Sequence, residues 1–214
     1  MNKALALATM TAITVATHAQ ATVLYSNFGD GDTYSLNMGA TISAGGPLGG
    51  QVNEAAVAFT VTGGSYYFTA ADVAVLHNWG PDLVNLHLHA DDGNAPGQIL
   101  DSTTASGVTP PFEWAPPLTG TFSGTVVLEE GQQYWLSMSP ENTDVLLSWA
   151  NNVVDDFGLR AWQVDGGGWN TAFGDPGTDS QRSTFRIHGT LVPAPGALAL
   201  LALGGLARSR RRRD

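Results

Sequence analysis

The chain has 214 residues, no cysteine and a formal charge of −10, which excludes a disulfide framework, a thiolate nucleophile and any cysteine-ligated zinc or iron–sulfur site. A hydrophobic content of 43%, with six Trp, eight Phe and five Tyr, excludes a disordered chain and predicts a folded body with its own core. Between Thr22 and Val192 only Arg160, Arg182 and Arg186 are basic, against 18 of the 19 acids; that net −15 repels phosphate backbones and anionic lipid and argues against nucleic-acid binding.

The first 21 residues have the physical layout of a secretory signal peptide. Lys3 supplies a positive start, residues 4–16 form an apolar run, and Ala19-Gln20-Ala21 is a small-x-small site. Signal peptidase is expected to cut after Ala21 once the export machinery has engaged this helix, so the mature protein begins at Thr22.

Residues 22–191 lack a sustained 3.6-residue period. They show short apolar runs separated by Gly, Pro, Asn and Asp clusters, which predicts one extracellular all-β domain, a β-sandwich or jelly-roll-like fold. Strands are expected over 22–27, 53–61, 66–77, 83–90, 98–102, 120–128, 133–139, 145–151, 159–163 and 183–191. Turns are expected at Gly63-Gly64, Asn78-Trp79-Gly80-Pro81-Asp82, Asp91-Asp92-Gly93-Asn94-Ala95-Pro96-Gly97, Glu129-Glu130-Gly131 and Asp165-Gly166-Gly167-Gly168. In Leu83-Val84-Asn85-Leu86-His87-Leu88-His89 the apolar residues alternate with Asn85, His87 and His89, predicting a buried face and a wet one.

Residues 192–214 change character again. Val192-Pro193-Ala194-Pro195-Gly196 forms an extended linker, an uncharged Ala/Leu run ends at Ala207, and Arg208 and Arg210 to Arg213 close the chain. The uncharged stretch from Ala194 to Ala207 is 14 residues, about 21 Å as a helix against a hydrocarbon core of about 30 Å. Arginine snorkelling and local bilayer thinning can close that gap, making this a short transmembrane helix. The arginines keep the C-terminus cytoplasmic and place the preceding domain outside.

This tail resembles a PEP-CTERM sorting signal, in which a Pro-Glu-Pro-like tripeptide precedes a short transmembrane helix and an arginine cluster. Here the tripeptide is Pro193-Ala194-Pro195, with Ala in place of the family's Glu. The resemblance implies recognition by an exosortase-like protease-transpeptidase, and display at the cell surface or release into exopolysaccharide and biofilm in a Gram-negative bacterium. The middle region resembles the bacterial surface domains called choice-of-anchor domains, through its Asp-Asp-Gly-Asn-Ala-Pro-Gly turn and the Tyr-Trp-Leu strand after Glu-Glu-Gly. That second resemblance implies a displayed sandwich and no particular activity.

Candidate chemistry in the middle region is sparse. His87 and His89 stand at i and i+2, and His77 could join them as a third metal ligand if its strand paired with theirs across Gly80-Pro81. Calcium is the better expectation for any metal, because hard cations take several oxygens. The first candidate set is Asp91, Asp92 and Asn94, and Asp30 with Asp32, Asp155 with Asp156 and Asp175 with Asp179 are further acidic loops. Solvated turn chemistry accounts for each loop equally well, and no cofactor is otherwise implied. Trp79, Trp162 and Trp169 lie in or beside turns and are candidates for stacking on glycan rings, whereas Trp135 and Trp149 sit inside strands and are expected in the core. No Gly-x-Ser-x-Gly, His-Glu-x-x-His or Gly-x-x-x-x-Gly-Lys motif is present, and residues 22–192 contain no Lys. A catalytic site is therefore not expected. The readings left open are a non-enzymatic surface or matrix protein, a carbohydrate-binding module, and a matrix polysaccharide hydrolase resting on two carboxylates.

Overall fold

A computed structural model describes residues 21–45, 50–107, 110, 113–173 and 181–193. The segment expected to act as a signal peptide, through Gln20, and the tail from Ala194 onward, lie outside these residues. The run Ala55-Ala56-Val57-Ala58-Phe59 has no polar position, and all five residues are buried. Strands of that kind are covered on both faces, and the whole architecture is built around this one.

Among the described residues the fold is all-β, with fourteen strands in two sheets. In chain order they are β1 Thr22–Ser26, β2 Gly39–Ala44, β3 Asn53–Thr60, β4 Tyr66–Val73, β5 Val75–Trp79, β6 Leu83–Asp91, β7 Pro96–Ser106, β8 Leu118–Thr121, β9 Val127–Leu128, β10 Gln133–Pro140, β11 Val145–Ala150, β12 Leu159–Val164, β13 Asn170–Phe173 and β14 Phe185–Leu191. The smaller sheet runs β1-β14-β4-β8, with β9 also on β4. The larger runs β5-β11-β2-β3-β10-β6-β7, with β12 on β3 and β13 on β12. All pairings are antiparallel. The two-sheet arrangement is that of a β-sandwich.

Between the sheets lies the main core, in which Phe59, Phe68, Leu86, Leu136, Met138, Trp149 and Phe185 are among the fully buried members. A second, smaller core lies on the opposite face of β3 and β10. Ala56, Ala58, Trp135, Leu159 and Ala161 form it, and Trp169 packs over it. Trp135 and Trp149 are both fully buried, as their positions inside strands predict.

Several strand boundaries differ from the sequence reading. The run expected over 66–77 is two strands, because the chain changes sheets at Ala74, whose amide bonds Thr184 and whose carbonyl receives Ala150. Periodicity continues through such a corner, so the pattern alone does not reveal it. The run expected over 120–128 is β8 and β9, separated by a turn with Gly124 at φ 73°. β2 and β13 were not anticipated: Gly39-Ala40-Thr41-Ile42-Ser43-Ala44 has a single large apolar residue, and Asn170–Phe173 is only four residues beside a glycine run.

The two ends of the described chain lie side by side. Thr22 at the start of β1 pairs with Gly189 near the end of β14. Val192 then donates its amide to the Ser65 carbonyl. Both terminal segments therefore leave from the same end of β14, and the residues preceding Phe185 mark the opposite end.

Candidate functional site

The Asp91 turn is organised by its own hydrogen bonds. Asp91 Oδ1 accepts from Trp135 Nε1 at 2.7 Å and from Gln133 Nε2 at 2.6 Å, and Oδ2 accepts from the Asn94 amide at 3.3 Å. Burial would raise the Asp91 pKa, but the Trp135, Gln133 and Asn94 donors outweigh it and hold the carboxyl below its ordinary range. Asn94 takes a left-handed conformation at φ 69°, which Asn tolerates in turns. Asp92 and Asn94 are exposed. Among the described residues, no group of three or more His, Asp or Glu is placed to hold a metal ion.

The other acidic loops are tied to protein partners. Asp32 pairs with Arg186, Asp156 with Arg182, and Asp155 Oδ1 accepts from Gln181. Asp175 and Asp179 lie outside the described residues. So do Ala19, Ala194 and Pro195, while Ala21 and Pro193 are described and exposed.

The histidines occupy the outer face of the large sheet, but the face is not uniformly wet. His89 is buried at 4% exposure, correcting the expectation for that position. Trp169 stands edge-on to it at 6.1 Å, and Gly97 covers it from the β7 side. His89 Nδ1 lies 2.9 Å from the Gly97 carbonyl, so Nδ1 carries the proton and Nε2 accepts from Ser137 Oγ at 2.8 Å. His87 bridges Ser102 and Ser139. Burial depresses both histidine pKa values, and for His87 the neighbouring His89 depresses it further. These are neutral imidazoles with satisfied nitrogens.

His77 does not join them. β5 lies at the far edge of the sheet, with β11, β2, β3 and β10 between it and β6. The Gly80-Pro81 turn links those strands without pairing them, and His77 Nδ1 instead meets Asp82 Oδ1 at 2.6 Å.

A second polar cluster, on the outer face of the small sheet, escaped the sequence reading. Asp72 on β4 accepts from His188 Nε2 at 2.8 Å, Thr119 Oγ1 at 2.7 Å and Arg186 Nη1 at 3.2 Å. Burial alone would raise the Asp72 pKa, but the His188 and Thr119 hydrogen bonds, with the His188 and Arg186 charges, bring it below the ordinary value. The alternation Phe185-Arg186-Ile187-His188 marks one polar face, but nothing in sequence joins it to Asp72, 114 residues from Arg186. The Thr119 hydroxyl donates to the carboxylate and not to the imidazole. The cluster thus lacks the nucleophile-to-base contact that activates a hydroxyl.

These shifts predict an acid-labile fold. Below about pH 6.5 the unfolded chain protonates two histidines that the folded protein keeps neutral, so stability falls as pH drops toward their folded values. A second loss follows below about pH 4, where the unfolded chain protonates the aspartate before folded Asp72 does. Urea midpoints measured from pH 8 to pH 3 should decline in these two stages, and His89→Gln should flatten the first. A midpoint constant down to pH 5 would contradict the assignment.

The three glycan-stacking candidates are not brought together into one platform. Trp169 serves as the lid of the small core. Trp79 is 54% exposed with its indole nitrogen bonded to Asp144 Oδ1 at 3.2 Å, beside an open depression formed with Pro81, Asn142 and Thr143. Trp162 is 42% exposed and lines a more enclosed cleft of about 310 Å³. That cleft opens where β2 and β3, joined only through Ser43 and Asn53, diverge. Gly39, Ala40 and Thr41 of β2 form one wall, and Arg160 and Trp162 of β12 form the other, with Ser183 alongside. Sequence reasoning found Trp162 and missed Arg160, although the i, i+2 spacing on a strand places both side chains on one face.

No protein-family model matches the chain, and no curated protein matches it as a relative.

Proposed function

We propose that the chain is an exported, non-catalytic β-sandwich protein, sorted through its C-terminal segment by an exosortase-like enzyme and presented at a Gram-negative cell envelope or released into exopolysaccharide. The observation that carries this reading is the tail itself: Pro193-Ala194-Pro195, an uncharged run ending at Ala207, and a terminal arginine cluster. In support, β1 and β14 are neighbours, so a leader before Thr22 and an anchor after Val192 leave the fold from one end. The opposite end is thereby left to face outward from a membrane. No helix among the described residues is long and apolar enough to cross a membrane, and the anchor in this reading is residues 194–207.

Mass spectrometry of protein recovered from the medium and the outer surface tests it. The expected N-terminus is Thr22, and the expected C-terminus lies near Pro193 to Pro195, without Arg208 to Asp214. Material outside the cell that retains the arginine cluster throughout would overturn the sorting step.

A second reading, a carbohydrate-binding module, is supported by the Trp162 cleft, where an accessible indole stands beside a polar wall. Exposed aromatic rings in clefts of this size suit sugar rings, which present an apolar face and hydroxyl edges.

A further inference from the structure

The domain is strongly acidic, and its few cations are accounted for unequally. Arg182 is paired with Asp156, and Arg186 with Asp32 and Asp72. Arg160 has no carboxylate partner among the described residues. Its Nε, like that of Arg182, is buried without a hydrogen-bond partner, and the residue lines the same cleft as Trp162 and Glu54. A guanidinium whose Nε is buried is costly to leave unmatched there, because that N–H loses water and gains nothing in return.

We propose that the cleft between β2 and β12 binds a carboxylate-bearing sugar, with Trp162 stacking on the pyranose ring and Arg160 taking the carboxylate. This rests on the glycan-binding reading and names its ligand class. Arg offers a planar fork that matches a carboxylate through two parallel hydrogen bonds. Trp162 follows on the same strand face, so ring and charge are read side by side. The small residues Gly39 and Ala40 opposite leave width for a ring between the walls. A volume of about 310 Å³ fits a monosaccharide or disaccharide unit and not a long buried chain.

The surrounding charge narrows the class further. A field from 18 acids opposes a densely charged polyuronate, so the preferred ligand carries isolated carboxylates on an otherwise neutral backbone. Ser183, at the cleft, immediately precedes the segment leading into β14, and the tail leaves from the other end of that strand. The cleft thus lies at the end of β14 opposite the exit of the tail.

The test uses the full chain in mild detergent and isothermal titration with three probes: an aldobiouronic acid, in which glucuronic acid is linked to a neutral hexose, its carboxyl-reduced counterpart, and a polyuronate. The aldobiouronic acid is expected to bind at least tenfold more tightly than the reduced disaccharide. Arg160→Gln should abolish that difference, Arg160→Lys should restore part of it, and Trp162→Ala should weaken both disaccharides together. The polyuronate should bind more weakly per site than the aldobiouronic acid and recover as salt is added. Equal binding of acid and reduced disaccharides, with Arg160→Gln unchanged, would overturn the carboxylate assignment while leaving glycan binding intact. Absence of binding by all three probes would overturn both. Far-UV circular dichroism of each variant separates lost contacts from lost fold.

Discussion

Replacing Asp156 by Ala is expected to remove about 3–5 kcal/mol of stability, a large part of the total of about 5–15 kcal/mol for a domain of ordinary stability. Asp156 Oδ2 accepts from Tyr25 Oη at 2.6 Å and Asn27 Nδ2 at 2.9 Å, while Oδ1 receives Arg182. Arg182 lies over the Tyr25 ring and donates also to the Ala58 carbonyl. Its side chain is only 13% exposed, so the alanine variant strands a cation that water cannot reach easily. Burial first, and then the bond to Asp156, push the Tyr25 phenol pKa upward, so Tyr25 stays a neutral donor throughout the working range. Asn27 adds a bond from the Phe185 amide to its own Oδ1. One carboxylate therefore ties β1, the start of β14 and the loop after β11 together. Urea unfolding followed by tryptophan fluorescence should show the lower midpoint with an unchanged slope, and Asp156→Asn should lose less because it keeps an acceptor. A loss below about 1 kcal/mol, the range of an exposed pair, would contradict the role.

Trp135→Ala should be comparably damaging, at about 3–5 kcal/mol and on the order of 10 °C in melting temperature for a chain of this size. The indole is fully buried among Ala56, Ala58, Leu159 and Ala161, and the three alanines are too small to fill the space it leaves. The variant also removes the Trp135 donor from Asp91, and Trp169 loses the surface it covers. Trp135→Phe separates the two effects: it keeps most of the packing and loses the hydrogen bond to Asp91, so it should cost about 1–3 kcal/mol. Calorimetric melting of both variants checks the order, and a Phe variant as unstable as the Ala variant would assign the energy to the Asp91 bond instead.

What the sequence made legible follows from the range over which its signals act. Alternation in residues 83–89 is local, so β6 and its buried Leu86 and Leu88 could be read directly. The turn at Asp91 to Asn94 was likewise visible, because left-handed Asn and Gly residues announce themselves. His89 shows the limit. Its alternation assigns it a face, but whether that face is wet depends on Trp169, which arrives just before β13, 80 residues later.

The same limit explains the missed clusters. Asp72, Thr119 and His188 come from three strands that only the sheet order joins, and Arg160 gains its meaning from β2, which has too few large apolar residues to be recognised as a strand. Single residues of the right type could be found. Which of them share a cleft is decided by pairings of high sequence separation, such as Arg160 with Val57.

The placement of β14 has a mechanical meaning. It is an interior strand of the small sheet, flanked by β1 and β4, and the proposed anchor follows its last residues in the chain. A tug between a partner gripped near Ser183 and a tether beyond Leu191 runs along the strand axis, loading the ladders on both sides in shear. Those bonds must then yield collectively, not one after another like a zip, so a seven-residue strand can withstand drag that would peel an edge strand from its sheet.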